Sequence, residues 1–331
     1  MSSENRPLSY SFAINEALHQ SMERDSNIIL IGQGCTSPWY VGGTCDGLMS
    51  RFGELRVMDT PVSENATTGI AVGAAIVGMK AVVVHPRVDF MMYAMDPIIN
   101  EAANWHYMFG GKSSVPVVFW GIINRRGEQA AQHSQALQAL FTHIPGLKVV
   151  MPATPYDAKG LMVAAIKDQN PVVFIDDREL YNTTGDVPKE LYEVPIGKGV
   201  VRREGTDCTV VGISSVLPLV LEAAEKLAQE GTSCEVIDPR TLKPLDEDLI
   251  FSSVKKTGRL VVVEGAWKTG GFSAEIAARV TEHCFDNLRA PIKRVCLPDA
   301  PAPMSKTLEQ AYYFTTDDII HAISIRNRRE R

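Results

Sequence analysis

The strongest constraint in this sequence is a repeated alternation of short, uniformly apolar runs with segments of helical periodicity. Asn27-Ile28-Ile29-Leu30-Ile31-Gly32, Ala81-Val82-Val83-Val84-His85, Pro116-Val117-Val118-Phe119-Trp120, Lys148 to Met151 and Val172 to Ile175 read as strands with no polar face. Such a strand needs cover on both sides, so it belongs in a parallel sheet rather than in a hairpin that faces water. Between these runs lie the helical candidates. Ser9 to Arg24 repeats Phe12, Ala13, Ala17, Leu18 and Met22 at intervals of three and four, and Ala94 to Met108, Ala131 to Phe141 and Ala158 to Lys167 follow. The pattern predicts an α/β fold with a mostly parallel sheet covered on both faces. Gln33 to Gly53, rich in Gly, Cys, Trp and Tyr, reads as an irregular loop.

The alternation breaks at 177–205. There Leu180-Tyr181-Asn182-Thr183-Thr184-Gly185-Asp186-Val187-Pro188 looks like a linker and Val194 to Val201 follows it. A second block opens with Cys208 to Ile213, continues with a helix from Val216 to Ala228, and adds strands at Ser233 to Ile237 and Leu260 to Val263. A chain of 331 residues fits two domains better than one. The net charge of −6 gives no reason to expect a nucleic-acid partner. No apolar run approaches the roughly 18 residues of a membrane span, and Met1-Ser2-Ser3-Glu4-Asn5-Arg6 has no apolar signal-peptide core. Cys35, Cys45, Cys208, Cys234, Cys284 and Cys296 form no CxxC pair, and read as reduced thiols of a cytoplasmic protein. Cys35 and Cys45 as ligands or redox partners is the less favoured reading. Arg326-Asn327-Arg328-Arg329-Glu330-Arg331 reads as a solvated charged end.

Asp59-Thr60-Pro61-Val62-Ser63-Glu64-Asn65-Ala66 leads a carboxylate directly into the small-residue run Gly69-Ile70-Ala71-Val72-Gly73-Ala74-Ala75. Ser63 is placed to cap the first turn, and Gly and Ala let another backbone or a flat cofactor come close. Gln132-His133-Ser134-Gln135 follows a glycine-containing loop. Pro145-Gly146-Leu147-Lys148-Val149-Val150, Asp157-Ala158-Lys159-Gly160-Leu161, Asn170-Pro171-Val172-Val173, the stretch Val236 to Asp246, and Thr269-Gly270-Gly271-Phe272 come later. In order and spacing, from about residue 8 to about 324, this set resembles the beta subunit of thiamine-diphosphate-dependent 2-oxo acid dehydrogenases. These are the first components of the pyruvate and branched-chain complexes, within the transketolase-like superfamily. The resemblance implies a pyrimidine-binding domain at 8–186, a linker at 187–199 and a transketolase C-terminal-like α/β domain at 200–331. It implies thiamine diphosphate as cofactor, Mg²⁺ held mainly by a separate alpha subunit, a heterotetramer with a second beta subunit, and a lipoyl acyltransferase as a further partner.

In that family the carboxylate matching Glu64 touches the cofactor's aminopyrimidine and promotes the tautomer that deprotonates the thiazolium carbon, a task helped by burial. Read without the resemblance, Glu64 is an acidic residue favourable to a helix dipole. Phe90 aligns with an aromatic that stacks on the pyrimidine; otherwise it is a core residue. His133 matches an active-site histidine able to donate a proton or stabilise charge on a carbonyl oxygen; otherwise it is a helix-start histidine satisfied by backbone. His85, Arg87, Arg125 and Arg126 depart from the pyruvate enzymes. They either bind a carboxylate or sugar phosphate of the substrate or form ion pairs with Glu128 or Asp89. Ala165, Ile166, Asp168 and Asn170 are similar to a segment that binds a monovalent cation such as K⁺ in some relatives, or they cap a helix end and turn. The family's Mg²⁺ motif has no convincing counterpart, Cys45-Asp46-Gly47 lacking the context. The expected function is the beta subunit of a 2-oxo acid dehydrogenase or decarboxylase. The alternatives are half of a split transketolase, which the extra cations keep open, and a scaffold subunit, which the presence of Glu64, Phe90 and His133 together disfavours.

Overall fold

The computed structural model describes residues 5–324, so the charged tail and the first four residues lie outside the described residues. Contacts divide the chain into two compact units. One is the chain up to Arg125 with Leu140–Ile196; the other is Arg126–Ala139 with the chain from Gly197 onward.

The first unit runs β1 (Asn5–Ser9), α1 (Tyr10–Arg24), β2 (Ile28–Gly32), α2 (Pro38–Val41), α3 (Leu48–Phe52), β3 (Val57–Asp59), α4 (Glu64–Ile76) and β4 (Lys80–His85). A 3-10 segment at Val88–Ala94 and a π-helical segment at Asp96–Ala103 lead into α5 (Asn104–Met108), followed by β5 (Val117–Ile123). α6 (Gln138–His143), β6 (Lys148–Val150), α7 (Pro155–Lys167), β7 (Val172–Asp177) and β8 (Thr184–Pro188) complete it. Six strands lie parallel in the order β6-β7-β5-β4-β2-β3. Every residue of β2, β5 and β7 is buried, as runs without a polar face require.

α1 starts where the Ser9 side chain accepts from the Phe12 amide. Tyr10, Ala13, Ile14, Ala17, Leu18 and Met22 form its buried face; Phe12, counted with that face from periodicity, is exposed. The single helix expected at Ala94 to Met108 is broken into two helix types. Pro97 has no amide to donate and therefore sits in a first turn. Gln33 to Gly53 contains the short helices α2 and α3 rather than loop alone, and the segment read as a linker holds β8, paired antiparallel with β1 from Asn5–Pro188 to Ser9–Thr184. β8 escapes a sequence reading because Thr184-Gly185-Asp186 shows no apolar alternation.

The second unit has β9 (Val200–Arg203), β10 (Cys208–Ile213), α8 (Leu217–Gln229), β11 (Cys234–Asp238), β12 (Thr241–Lys243), α9 (Glu247–Thr257), β13 (Leu260–Trp267), α10 (Phe272–Cys284), β14 (Lys293–Leu297), α11 (Lys306–Tyr312) and α12 (Thr316–Ser324). Its sheet runs β14-β13-β10-β11-β9, parallel except for β9 against β11. Among the described residues no helix is long and apolar enough to cross a membrane.

Lys159 is fully buried where α7 packs on α1. Its ammonium donates to Glu16 Oε1 at 2.6 Å and to the Pro188 carbonyl at 2.7 Å. One charge thus ties α1, α7 and the end of β8. Glu16→Ala should lower the unfolding free energy by about 3–5 kcal/mol, the cost of breaking a buried pair from one side. Urea unfolding tests this; a loss under about 1 kcal/mol, the range of exposed pairs, would show that the carbonyls alone satisfy Lys159.

Candidate active site at the strand ends

β2, β3 and β4 end side by side at Gly32, Asp59 and His85, the edge of a parallel sheet where ligand crevices form. Gly32 is required there: a β-carbon would lie 2.3 Å from the Val84 carbonyl oxygen. Asp59 fastens the turn beyond it, accepting from the Gly34 amide at 2.8 Å and the Thr36 amide at 3.2 Å. Burial opposes ionisation of Asp59, but the hydrogen bonds from Thr36 and Gly34 outweigh it and hold the carboxyl below its ordinary range.

α4 begins at Glu64 beside this edge. Ser63 occupies the cap position, yet its side chain makes no capping bond, contrary to expectation; its backbone, at φ −162° and ψ 60°, departs from ordinary cap geometry. Glu64 is half-buried. Its carboxylate has no hydrogen-bond or ion-pair partner among the described residues. It lines a cleft with Gln33, Thr60, Thr67 and His85 whose volume is about 10 Å³, room for about one water molecule.

His85 is buried, with Nε2 3.3 Å from Thr68 Oγ1. Burial pushes its pKa down to about 4, so the imidazole is neutral near pH 7 and is not the cation the sequence suggested. Arg87 is half-buried and donates to the Pro86 carbonyl at 2.6 Å. Burial lowers its pKa, as does the Arg178 charge, while Asp89 raises it. Phe90 is half-buried, between the buried Asp89 and Met91.

Arg125 takes the ion-pair alternative, with other acids than those expected. Its guanidinium, 5% exposed, is 2.7 Å from the fully buried Asp177 and 3.8 Å from Glu179. It pairs with Asp177 at the end of β7, an acid that the ion-pair reading of the sequence does not name. Asp176, beside Asp177, carries no signal in the sequence. It accepts from Trp120 Nε1 at 3.1 Å, and burial raises its carboxyl to about 7. The run Asp176-Asp177-Arg178-Glu179 reads as an ordinary polar exit from a strand, so only the fold shows that its first two carboxylates are buried.

Glu64 and Phe90 belong to the first unit, and His133 and Arg126 to the second. His133 is half-buried on a turn, not in the helix expected at Ala131 to Phe141; helical geometry begins only at Gln138. Arg126 stacks its guanidinium 5.0 Å from the centre of the Tyr313 ring.

In the segment expected to hold a monovalent cation, Asp168 is engaged as a cap. Its amide donates to the Ala164 and Ala165 carbonyls, Oδ1 accepts from the Asn170 amide at 2.9 Å, and Oδ2 pairs with Lys148. Ile166 is buried in α7. Asn170 Oδ1 is buried without a hydrogen-bond partner among the described residues. In Cys45-Asp46-Gly47, the Asp46 carbonyl accepts from Asn15 at 2.9 Å, and burial pushes the Cys45 thiol up to about 12. Among the described residues no group of three or more His, Cys, Asp or Glu stands ready to hold a metal ion. All six cysteines are free.

Residues 6–184 match the model of the transketolase pyrimidine binding domain, and residues 197–319 that of the transketolase C-terminal domain. The chain is 42% identical over 327 residues to the acetoin:2,6-dichlorophenolindophenol oxidoreductase subunit beta of Bacillus subtilis, covering 95% of this chain and 96% of that protein. It is 41% identical over 317 residues to the 2-oxoisovalerate dehydrogenase subunit beta of the same organism, covering 95% and 97%. With the pyruvate dehydrogenase E1 component subunit beta of Rickettsia felis it shares 42% over 311 residues, covering 94% and 95%. A solved split-gene transketolase, an inactive beta4 tetramer, superposes with a TM-score of 0.79 at 22% identity, over 96% of this chain and 97% of that one, and so shares the fold. The two domain matches define a transketolase-type chain of the thiamine-diphosphate-dependent class. Within that class, the chain belongs to the family of 2-oxo acid dehydrogenase E1 beta subunits.

The depressed basicity of His85 has a measurable consequence. Folded His85 releases its proton near pH 4 and unfolded His85 near 6.5, so the unfolded chain binds more protons between these values. Its contribution is complete above about pH 6.5 and is lost as pH falls towards 4, amounting to about 3 kcal/mol over the window. The difference in urea stability between wild type and His85→Gln should shrink steadily on acidification. A difference independent of pH would show that His85 does not titrate as placed.

Proposed function

We propose that this chain is the beta half of a 2-oxo acid dehydrogenase first component, sharing its active site with a separate alpha subunit. The observation that carries this reading is the Glu64 carboxylate: half-buried, at the start of α4, without a partner among the described residues, and beside a cleft with room for about one water molecule. A half-buried acid left unpaired at the end of a sheet suits a ligand group. The cleft alone does not enclose a cofactor, so the residues present fit one part of thiamine diphosphate, the pyrimidine, and leave the rest to another chain. When bound, that cofactor supplies a nucleophilic carbon able to decarboxylate a 2-oxo acid. Glu64 would hold a proton against a pyrimidine ring nitrogen, Phe90 would offer its ring face to the same heterocycle, and His133 would donate to charge developing on the substrate oxygen. In this reading Mg²⁺ and the diphosphate are held by the alpha chain, and a monovalent cation such as K⁺ would take the unpartnered Asn170 oxygen and carbonyls near Ala165.

The neutral His85 and the paired Arg125 favour a small 2-oxo acid with an uncharged side chain over a sugar phosphate. The acyl fragment would pass to a lipoyl acyltransferase, and the free cysteines suit a cytoplasmic setting.

The exposed face of α4 supports a partner. Ala66, Gly69, Ile70, Gly73 and Val77 are exposed along it, Ile70 by 61%. A helical glycine costs about 0.5–1 kcal/mol against alanine, yet a β-carbon at Gly69 or Gly73 would meet nothing within 4 Å. Among the described residues nothing needs those glycines small; close packing by another helix would. We assign that helix to the alpha chain of a two-alpha, two-beta assembly.

Glu64→Gln, co-expressed with the alpha chain, should keep assembly and lose about 10²–10⁴-fold in carbon dioxide release, the share typical of acid–base groups. Near-wild-type turnover at saturating cofactor would sink the reading. Gly73→Leu should leave the melting of the isolated chain nearly unchanged and abolish assembly in multi-angle light scattering. A normal tetramer carrying leucine there would place the partner elsewhere.

A further inference from the structure

The turn that carries His133 has a costly backbone. Arg126, Glu128 and Ala130 lie at φ 64°, 64° and 59°, in the left-handed region, around Gly127 at 68°. Side-chain-bearing residues persist there only when their surroundings hold them. Burial does not supply the hold, because Arg126, Gly127 and Glu128 are all exposed. A carboxylate does. The amide of Glu128 donates to both oxygens of Glu309, each at 3.2 Å, and Glu309 is 6% exposed on α11. Just beyond α11, Tyr313 places its ring under the Arg126 guanidinium.

The other end of the segment is held by a second carboxylate. Gln138 Nε2 donates to Glu264 Oε1 at 2.7 Å. Glu264, fully buried on β13, is itself oriented by the first turn of α10, accepting from the Phe272 amide at 3.1 Å and the Ser273 amide at 2.8 Å. His133 therefore sits between two points, Glu128 and Gln138, each held by a buried carboxylate of the same unit.

We propose that Glu309 and Glu264 are positioning residues: through Glu128 and Gln138 they fix the course of the turn that presents His133, and so set the reach of its imidazole. The proposal rests on the reading that His133 serves the active site. Neither carboxylate touches substrate; each acts through backbone or amide geometry. Loss of Glu309 leaves the Glu128 amide without its charged acceptor and removes a hold on the left-handed turn. His133 then samples other positions, which lowers turnover more than substrate affinity.

The test uses the full chain assembled with its alpha partner. Glu309→Ala should lower kcat by about tenfold to a hundredfold with little change in KM, the scale expected for a misplaced group. Glu309→Gln, which keeps a carbonyl acceptor, should recover much of the loss, and Gln138→Leu should repeat it from the other end. In a His133→Ala background Glu309→Ala should add nothing, since both act through one group. Trypsin reads the turn without any activity: cleavage after Arg126 should be faster in Glu309→Ala than in wild type, and slower again in Glu309→Gln. An equal loss with and without His133, or wild-type turnover together with a wild-type cleavage rate, would overturn the proposal. If His133→Ala itself leaves turnover intact, the active-site reading fails instead, and the cleavage rate still decides whether Glu309 holds the turn. Should the alanine variant not fold, Glu309→Gln against wild type gives the same comparison with smaller effects.

Discussion

Enclosure of the central strands of the first unit is the constraint on which the rest depends. β2, β5 and β7 have no residue facing water, and β4 has only Lys80 partly exposed. Helices must cover both sides, so any polar group that enters has to be matched inside the protein. Lys159 enters from α7 and finds Glu16. Arg125 enters past the end of β5 and finds Asp177. Among the described residues His85 has the Thr68 hydroxyl as its hydrogen-bond neighbour, and it meets the constraint by staying neutral. Asp176 meets it with a raised pKa and a bond from Trp120.

The same constraint separates structural charge from chemical charge. Lys159, Arg125 and Asp176, which point into the covered layers, are compensated; the Glu64 carboxylate stands at the strand ends and has no partner among the described residues. Four cationic candidates in the sequence looked alike. In the fold they differ: His85 is uncharged, Arg125 is paired, Arg126 lies over an aromatic ring, and Arg87 is half-buried against its neighbour's carbonyl.

What could be read from the sequence follows the same division. The strands β2, β4, β5, β7 and β10 stand where uniform apolar runs placed them, because burial on both faces writes itself directly into composition. β8 and the turn at 126–130 could not be read that way. β8 exists because β1 offers it a backbone partner, and the turn departs from helix because a carboxylate far along the chain accepts its amide. Glu64, Phe90 and His133 were found through resemblance to a family rather than through periodicity. The unmet carboxylate that gives Glu64 its physical meaning appears only once every neighbour is placed. Asp176 and Asp177 carried no signal at all, since a polar strand exit and a buried pair of acids have the same letters.

The His133 segment is inserted between the two stretches of chain that build the first unit, although its own contacts belong to the second. During synthesis it leaves the ribosome well before Glu264 and long before Glu309. The first unit can close around Leu140–Ile196 while the turn still lacks both of its carboxylate anchors, as domains folding in order of emergence would dictate. Completion of the His133 turn is therefore among the last events in the life of the nascent chain. A chain released short of α11 would carry Glu64 and Phe90 in a finished unit, with the histidine turn unset.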